Sequence, residues 1–227
     1  MQCPFCKEEI IDGAIKCKHC GSMIGDDRFP RTAPQTDFAA MFGNATRIWK
    51  ENLADLVLLT LIFMLVVWIP IANVGFIAGY ARSLFKVTRG QGKAKVDDLF
   101  DAWDCFGNLF LFILINLIIG VALHSVPFFG SLASIALGFV VFPGAFLIID
   151  KGTGTMDAYK WCFETIQADF ANWLLAYVVG NVIIFGGVVA LFIGIILTAP
   201  LGQLIFIQQY ERMKPDGKGN REAHETL

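Results

Sequence analysis

Residues 172–207 read NWLLAYVVGNVIIFGGVVALFIGIILTAPLGQLIFI, and this stretch contains no aspartate, glutamate, lysine or arginine. A helix needs about 20 apolar residues to cross a bilayer, so an uncharged run of 36 residues predicts two membrane helices joined by a short turn. Across the whole chain, 56% of the 227 residues are hydrophobic and 17% are charged. A soluble domain carries about 25% charged residues. The sequence therefore predicts an all-α integral membrane protein.

The segments between the apolar runs determine the predicted orientation in the membrane. The six predicted spans are residues 53–69, 71–88, 109–126, 128–149, 172–188 and 189–210. The turns within the three successive pairs of spans contain no charged residue, whereas every lysine and arginine lies in or beside the other connecting segments. Positively charged residues remain on the cytoplasmic side of a membrane. We therefore expect both termini in the cytosol and three short turns on the far side.

The predicted membrane domain, residues 37–214, contains an internal repeat with a spacing of about 60 residues. The three units cover residues 37–92, 97–154 and 157–214. Each unit opens with an aspartate and an amphipathic stretch, which predicts an interfacial helix, and continues as a hairpin of two spans. The opening residues are Asp37, Asp97 and Asp157. Since parallel repeats can be related by an axis along the membrane normal, we predict a pseudo-threefold bundle of six helices.

Small residues recur at a spacing of four in the second helix of each hairpin. The three sets are Gly75, Gly79 and Ser83, then Gly130, Ser134 and Gly138, and finally Ala190, Gly194 and Thr198. This spacing places the members of a set on one helical face, where small side chains allow helix backbones to approach closely. We therefore predict that these nine positions serve helix packing.

Polar residues are sparse in the predicted spans, and no charged residue lies near their middle. The polar residues are Thr60, Asn116, Tyr177, Asn181, Thr198 and Gln203. Buried ionisable groups usually mark ion pathways and proton relays, so their absence argues against ion-coupled transport. The polar side chains are expected to bridge helices, and the alternative is that they line a path for a neutral solute.

Four acidic residues form a stripe after the second predicted span: Asp97, Asp98, Asp101 and Asp104. One interpretation is a solvated face of an amphipathic helix. The alternative is a docking site for a basic partner segment or for divalent cations.

The N-terminal residues 1–24 contain four cysteines in the pattern C-x2-C-x10-C-x2-C, namely Cys3, Cys6, Cys17 and Cys20. Each pair can direct two thiolates at one ion, and four thiolates complete a tetrahedral zinc site, with iron as the alternative. A module of this size depends on its metal to fold. Residues 25–36 contain two prolines and predict an extended linker, and residues 215–227 form a polar tail. The ribbon has no basic face, so nucleic-acid binding is not expected.

Two parts of the chain resemble known prokaryotic families. CPFCKEEIIDGAIKCKHCG closely resembles small N-terminal zinc ribbons, which implies zinc binding and no particular activity. KVDDLFDAW, MDAYKWCFETIQADFANW and IGIILTAPLGQLIFIQQYERM look like parts of the YciC-like inner-membrane proteins and of the membrane domain attached to some glycerophosphodiester phosphodiesterases. This resemblance implies a multi-pass protein of the prokaryotic plasma (inner) membrane and supplies no catalytic residues.

The sequence indicates the function of the protein less clearly than its fold. No set of nucleophile, base and acid stands out, so a non-enzymatic role is expected. The favoured hypothesis is an adaptor or accessory subunit, embedded in membrane lipids, whose cytosolic zinc ribbon binds a protein partner or which assembles with its own copies. The alternative is a transporter or lipid-handling protein for a neutral or amphipathic substrate.

Overall fold

The computed structural model describes residues 38–125, 129–189 and 193–215, which all belong to one compact unit. Within these ranges the chain is helical and forms no β-strand. The α-helices of these ranges are α1 (Phe38–Glu51), α2 (Leu53–Val66), α3 (Ala72–Thr88), α4 (Phe106–His124), α5 (Phe129–Lys151), α6 (Thr155–Ala168), α7 (Phe170–Val189) and α8 (Ile193–Met213). A 3₁₀ helix, Val96–Phe100, lies between α3 and α4. The predicted ribbon and linker, residues 1–36, and the tail beyond residue 215 lie outside the described residues.

Three of the described helices are long and apolar enough to cross a membrane, namely α4 with 19 residues, α5 with 23 and α7 with 20. Their outer surfaces suit a lipid environment, since apolar side chains such as Leu117, Ile118 and Val121 on α4 are exposed. Helix α2 is also apolar but has only 14 residues. The prediction of a helical membrane protein is therefore confirmed at this level, and the number of six spans stays a prediction.

The contacts between helices follow a cyclic order. Helices α2 and α3, α4 and α5, and α7 and α8 pack as consecutive pairs, and the second helices α3, α5 and α8 contact one another. The segment that precedes each pair packs on the second helix of another pair: α1 on α8, the 3₁₀ helix on α3, and α6 on α5. The first segment of each unit of the predicted repeat therefore packs on the second helix of the preceding unit, and α1 of the first unit packs on α8 of the third.

Helices α7 and α8 are in close backbone contact because glycines line both sides of their interface. A Cβ atom at Gly187 would lie 2.7 Å from the backbone nitrogen of Ile195 and 2.8 Å from the carbonyl carbon of Gly194. A Cβ atom at Gly202 would lie 2.7 Å from the carbonyl oxygen of Gly180. Gly194 thus lies at a close contact between the two helices.

The other predicted packing residues have different partners. In α5, a Cβ atom at Gly130 would collide with the carbonyl oxygen of Leu123 at the end of α4, and one at Gly138 would lie 3.3 Å from the Tyr177 hydroxyl. Ser134 contacts a side chain, with its Oγ 3.1 Å from Nδ1 of His124. Thr198 lies against Gly187 across the α7–α8 interface. Ala190 falls outside the described residues.

In α3, the small residues contact the acidic segment rather than another α-helix. A Cβ atom at Gly75 would lie 2.9 Å from the ring of Trp103, and one at Gly79 would lie 2.6 Å from Cα of Leu99. Ser83 donates a hydrogen bond of 2.7 Å to the Asp98 carboxylate. The predicted close approach at this face is therefore made by the chain that follows α3.

The second amphipathic stretch is not an α-helix, and the prediction of an interfacial helix opened by Asp97 is wrong. The 3₁₀ helix ends at Phe100, and irregular backbone continues to Cys105. Asp98 caps the start of the 3₁₀ helix, because its carboxylate accepts a hydrogen bond of 3.0 Å from the Lys95 backbone. Leu99 is fully buried on the glycine face of α3, which holds the segment in this form.

Candidate functional site

A cavity of about 570 Å³ lies between α2, α3, α5, α7 and α8. Its apolar lining includes Phe63, Met64, Ile77, Phe142, Ala145, Ile149 and Ala199. Its polar lining consists of Thr60, Tyr80 and Gln203. An apolar cavity of this size with a few polar groups is typical of a binding site for a small organic ligand.

Two of the polar groups in the cavity wall are already hydrogen-bonded to each other. The Thr60 hydroxyl donates to the carbonyl oxygen of Leu56 at 2.7 Å, so the Tyr80 hydroxyl donates to Thr60 at 2.9 Å. The Tyr80 ring stacks on Phe63 with 4.6 Å between ring centroids. This arrangement satisfies the polar atoms without a ligand and leaves a predominantly apolar wall.

A second cavity, of about 310 Å³, adjoins the first and is much more polar. It is lined by Arg82, Phe85, Lys86, Arg89, Gln91, Ile149 and Asp150. Ile149 lines both cavities, so they are neighbours at the C-terminal ends of α3 and α5. Arg82, Lys86 and Arg89 follow the spacing i, i+4, i+7 and therefore share one face of the helix end.

Carboxylates hold Arg82 and Lys86 in position. Arg82 makes a bidentate pair with Asp104 at 2.5 and 2.7 Å, and its Nε donates to the carbonyl oxygen of Ile149 at 3.2 Å. Lys86 Nζ lies 2.5 Å from the Asp98 carboxylate. Neither Asp98 nor Asp104 lines the small cavity.

These contacts shift the protonation equilibria of both carboxyl groups. The hydrogen bonds from the Arg82 guanidinium lower the pKa of Asp104, burial opposes them, and the charge of Arg82 adds to the lowering. Burial of Asp98 works against its ionised form, but the hydrogen bonds from Lys86, Ser83 and the Lys95 backbone outweigh that effect and lower its pKa. Both aspartates are therefore fully charged at neutral pH.

Arg89 joins three helices at the inner end of the small cavity. It pairs with Asp150 of α5 at 2.7 Å and with Glu211 of α8 at 2.6 Å, and its guanidinium lies 4.9 Å from the centre of the Phe85 ring. Burial opposes the charge of Arg89, but the hydrogen bonds that it donates to Asp150 and Glu211 outweigh this effect and raise its pKa. Tyr210 of α8 donates a further hydrogen bond of 2.8 Å to Asp150.

Arg89, Asp150 and Tyr210 occupy corresponding positions in the three units, 61 and 60 residues apart in sequence. Four residues before each of them stands a phenylalanine, in the segments FKVTR, FLIID and FIQQY. The Phe85 ring lies 5.9 Å from that of Phe146 and 5.3 Å from that of Tyr210. Arg89, Asp150 and Tyr210 thus form a polar junction between α3, α5 and α8. The sequence analysis did not predict this junction, although the phenylalanine four residues before each polar residue could have indicated it.

The acidic stripe is divided between two environments. Asp98 and Asp104 form the ion pairs with α3, whereas Asp97 and Asp101 are exposed. Within the described residues no group of three or more His, Cys, Asp or Glu side chains converges on a point that could hold a metal ion. Partner docking at Asp97, Asp98, Asp101 and Asp104 stays a prediction.

The remaining polar residues of the predicted spans do not line the large cavity. Asn116 donates to the Tyr159 hydroxyl at 2.8 Å and so bridges α4 and α6. Asn181 donates to the backbone of Tyr177 at 2.7 Å, and the Tyr177 ring packs on Phe139 of α5 with 5.4 Å between ring centroids. The Asn116 contact thus joins two helices, whereas the Asn181 hydrogen bond stays within α7.

The two cysteines within the described residues are both buried. Cys105 and Cys162 are free and buried, and burial raises the pKa of Cys162 to about 12. Cys162 is therefore a protonated packing residue at neutral pH. The four predicted metal ligands, Cys3, Cys6, Cys17 and Cys20, lie outside the described residues, so the zinc site stays a prediction.

Comparison with known proteins supplies no relative: no family model, curated protein or solved structure matches this chain. The candidate site is therefore defined by its geometry alone. It consists of an apolar cavity next to a polar one, and the polar cavity is lined by Arg82, Lys86, Arg89 and Asp150 among others.

Proposed function

We propose that the chain is a six-span membrane protein, built from three hairpin repeats, that binds an amphipathic ligand and acts in lipid handling or transport rather than catalysis. The observation that carries this proposal is the apolar cavity of about 570 Å³, to which α3, α5 and α8 all contribute lining residues. A cavity of this size and lining suits the apolar part of one ligand. A hydrolytic or redox role has no comparable support.

The six-span architecture draws support from the helices and from their contacts. Helices α4, α5 and α7 are each long and apolar enough to cross a bilayer. Helices α2 and α3 make the same kinds of contact as the pairs α4–α5 and α7–α8: they pack on each other, and α3 contacts the second helices α5 and α8. We place the protein in a prokaryotic plasma membrane with both termini in the cytosol, because the charged residues avoid the three short turns.

The proposed function is tested by ligand-induced thermal stabilisation of the purified full chain. Single-chain amphiphiles should raise the melting temperature of the parent protein, and Ala145→Phe, which fills the cavity, should abolish that effect. The matched control is Ala122→Phe, because Ala122 is exposed on α4 and a phenylalanine there leaves the cavity unchanged. Equal stabilisation of the parent and Ala145→Phe would contradict the proposal.

A role as an adaptor is the second candidate, and the N-terminal motif favours it. Cys3, Cys6, Cys17 and Cys20 would hold one zinc ion, which would stabilise a small ribbon on a proline-containing linker. Such a module suits a cytosolic protein partner. The full chain should contain about one zinc per chain, and Cys17→Ser should lose both the zinc and any co-purified partner. A partner that remains bound to Cys17→Ser would move the interaction elsewhere.

A further inference from the structure

The small polar cavity assigns a chemical class to the ligand. We infer that it binds a phosphate or carboxylate headgroup, so that the ligand is an anionic amphiphile whose chain lies in the large cavity. This inference rests on the proposed function, since it takes the large cavity as the chain-binding part of the site.

The first argument is the charge of the small cavity's lining. Three of its seven lining residues are the cations Arg82, Lys86 and Arg89, and Gln91 adds an exposed amide. Asp150 also lines this cavity, but its carboxylate is occupied by Arg89 at 2.7 Å and by the Tyr210 hydroxyl at 2.8 Å.

The second argument is how the cations are held. Asp98, Asp104 and Glu211 pair with Lys86, Arg82 and Arg89 but do not line the cavity. These carboxylates fix the cations from outside while using only part of their hydrogen-bonding capacity. A guanidinium has five N–H groups and an ammonium has three, so donors remain for an anion inside the cavity. Anion–cation hydrogen bonds of this kind are among the strongest in proteins.

The third argument is the position of the two cavities. Ile149 lines both, so a headgroup among the cations would stand directly beside the apolar cavity. A water molecule occupies roughly 30 Å³ in the liquid, and a methylene group is of similar size. The large cavity of about 570 Å³ therefore suits one acyl chain better than two.

The test uses the full chain in an uncharged detergent and three probes: lysophosphatidic acid, the monoacylglycerol with the same chain, and inorganic phosphate. We expect lysophosphatidic acid to bind about tenfold more tightly than the monoacylglycerol, as one charge-assisted contact provides. Affinities are obtained by titrating each probe against the melting temperature. The preference should decline at high salt, because screening weakens partly exposed charges.

A matched set of variants separates binding from folding. The double variant Lys86→Gln, Asp98→Asn removes the cation together with its partner, so no half-buried charge is left unpaired, and it should lose the preference for the anionic probe. Asp98→Asn alone keeps the cation and should retain or strengthen that preference. Lys93→Gln is the control, because the Lys93 side chain is 78% exposed and lies outside the cavity. Gln91→Leu, which breaks no ion pair, should weaken binding of the anionic probe only.

The outcomes distinguish this inference from the proposed function. Equal binding of both amphiphiles, with both lost in Ala145→Phe, would overturn the headgroup site and leave the proposed function standing. Inorganic phosphate that protects as well as lysophosphatidic acid, with no effect of Ala145→Phe, would assign the small cavity to a free anion and overturn the amphiphile. Binding of none of the three probes would overturn both.

Discussion

A methyl group at Gly79 has no room, because its Cβ would lie 2.5 Å from the carbonyl oxygen of Asp98 and 2.6 Å from Cα of Leu99. Both neighbours are backbone atoms and cannot rotate away. We expect Gly79→Ala to lower the free energy of unfolding by about 1–3 kcal/mol, the usual cost of overpacking. The melting temperature should fall by about 2–4 °C for each kcal/mol.

The control for this change is Gly43→Ala, because a Cβ at Gly43 meets nothing within 4 Å. Gly43 lies inside α1, where alanine favours the helix by up to about 1 kcal/mol over glycine. The two substitutions should therefore shift the melting temperature in opposite directions. A stabilising effect of Gly79→Ala would show that the segment after α3 is not seated as described.

The pair Lys86–Asp98 makes a pH-dependent contribution to stability. The pKa of Asp98 is lowered in the folded chain, so its contribution is complete above the unfolded value of about 3.9 and is lost as the pH falls through the lower folded value. At pH 7 we expect Asp98→Asn to melt about 2–4 °C below the parent protein, as for a partly exposed pair worth about 1 kcal/mol. As the pH falls from about 3.9 through the lower folded value, the two melting temperatures should converge.

The exposed residue Asp97 provides the comparison for that titration. Asp97→Asn removes the same charge from the neighbouring position without breaking an ion pair, so it should follow the parent curve throughout. A constant gap between Asp98→Asn and the parent at every pH would exclude the ion pair as its cause.

At the residue scale, the sequence predicts which positions must be small better than it predicts what they contact. The spacing of Gly75 and Gly79 places both on one helical face, where a Cβ atom would meet the Trp103 ring at Gly75 and the backbone of Asp98 and Leu99 at Gly79. The partner is the segment around Leu99, and its identity depends on a tertiary contact that no local pattern encodes. Arg82 and Asp104 show the same limit, since each reads as a surface charge until they are seen as a bidentate pair.

At the scale of elements, the polar junction between α3, α5 and α8 should be more important for stability than any surface pair. The Asp150 side chain is 6% exposed and accepts from Arg89 and Tyr210. Asp150→Leu would leave the partly buried Arg89 with Glu211 as its remaining carboxylate partner, and we expect it to cost about 3–5 kcal/mol. Tyr210→Phe removes one hydrogen bond and should cost about 1–3 kcal/mol. Thermal unfolding of the purified variants measures both.

The exposed residue Asp157 gives the matched control for the junction, because its side chain is 73% exposed and lies 3.9 Å from Lys160. Asp157→Leu should change the melting temperature little, since surface pairs contribute about 0–1 kcal/mol. If Asp150→Leu were as mild as Asp157→Leu, the three helices would have to be held together by their aromatic contacts alone.

Elements were predictable where one physical requirement dominates. The apolar runs of α4, α5 and α7 are recognisable because lipid demands a long uncharged helix. The segment after Asp97 was not, because its apolar spacing fits an α-helix while Leu99 is held against the glycine face of α3. Local pattern and tertiary contact disagree there, and the contact prevails.

At the scale of the whole molecule, the cyclic contacts give the repeat a physical basis. The first segment of each unit packs on the second helix of another unit, so no unit buries all of its apolar surface alone. Arg89, Asp150 and Tyr210 then meet at one junction although each comes from a different unit. Corresponding positions have diverged into a cation, an anion and a hydroxyl, which is why a search for identical residues misses them.

The proposed topology predicts which amines can be labelled from outside the cell. In the parent chain every lysine and the N-terminus lie on the proposed cytosolic side. A membrane-impermeant amine reagent should therefore not label the protein in intact cells. Ser125→Lys places an amine at the exposed end of α4, next to the proposed far-side turn, and should become labelled. Gln91→Lys is the matched control. Gln91 follows α3 at the proposed cytosolic end of the first hairpin, so this lysine should stay unlabelled.

Permeabilised cells decide whether a negative result reflects topology or mere inaccessibility. There the reagent should label the parent chain, Ser125→Lys and Gln91→Lys alike, because exposed lysines such as Lys93 become reachable. Labelling of the parent chain in intact cells would contradict the proposed orientation. An inverted orientation would place the small polar cavity on the far side. The anionic headgroup would then be taken from the outer leaflet, since Arg82, Lys86 and Arg89 all stand at the same end of α3.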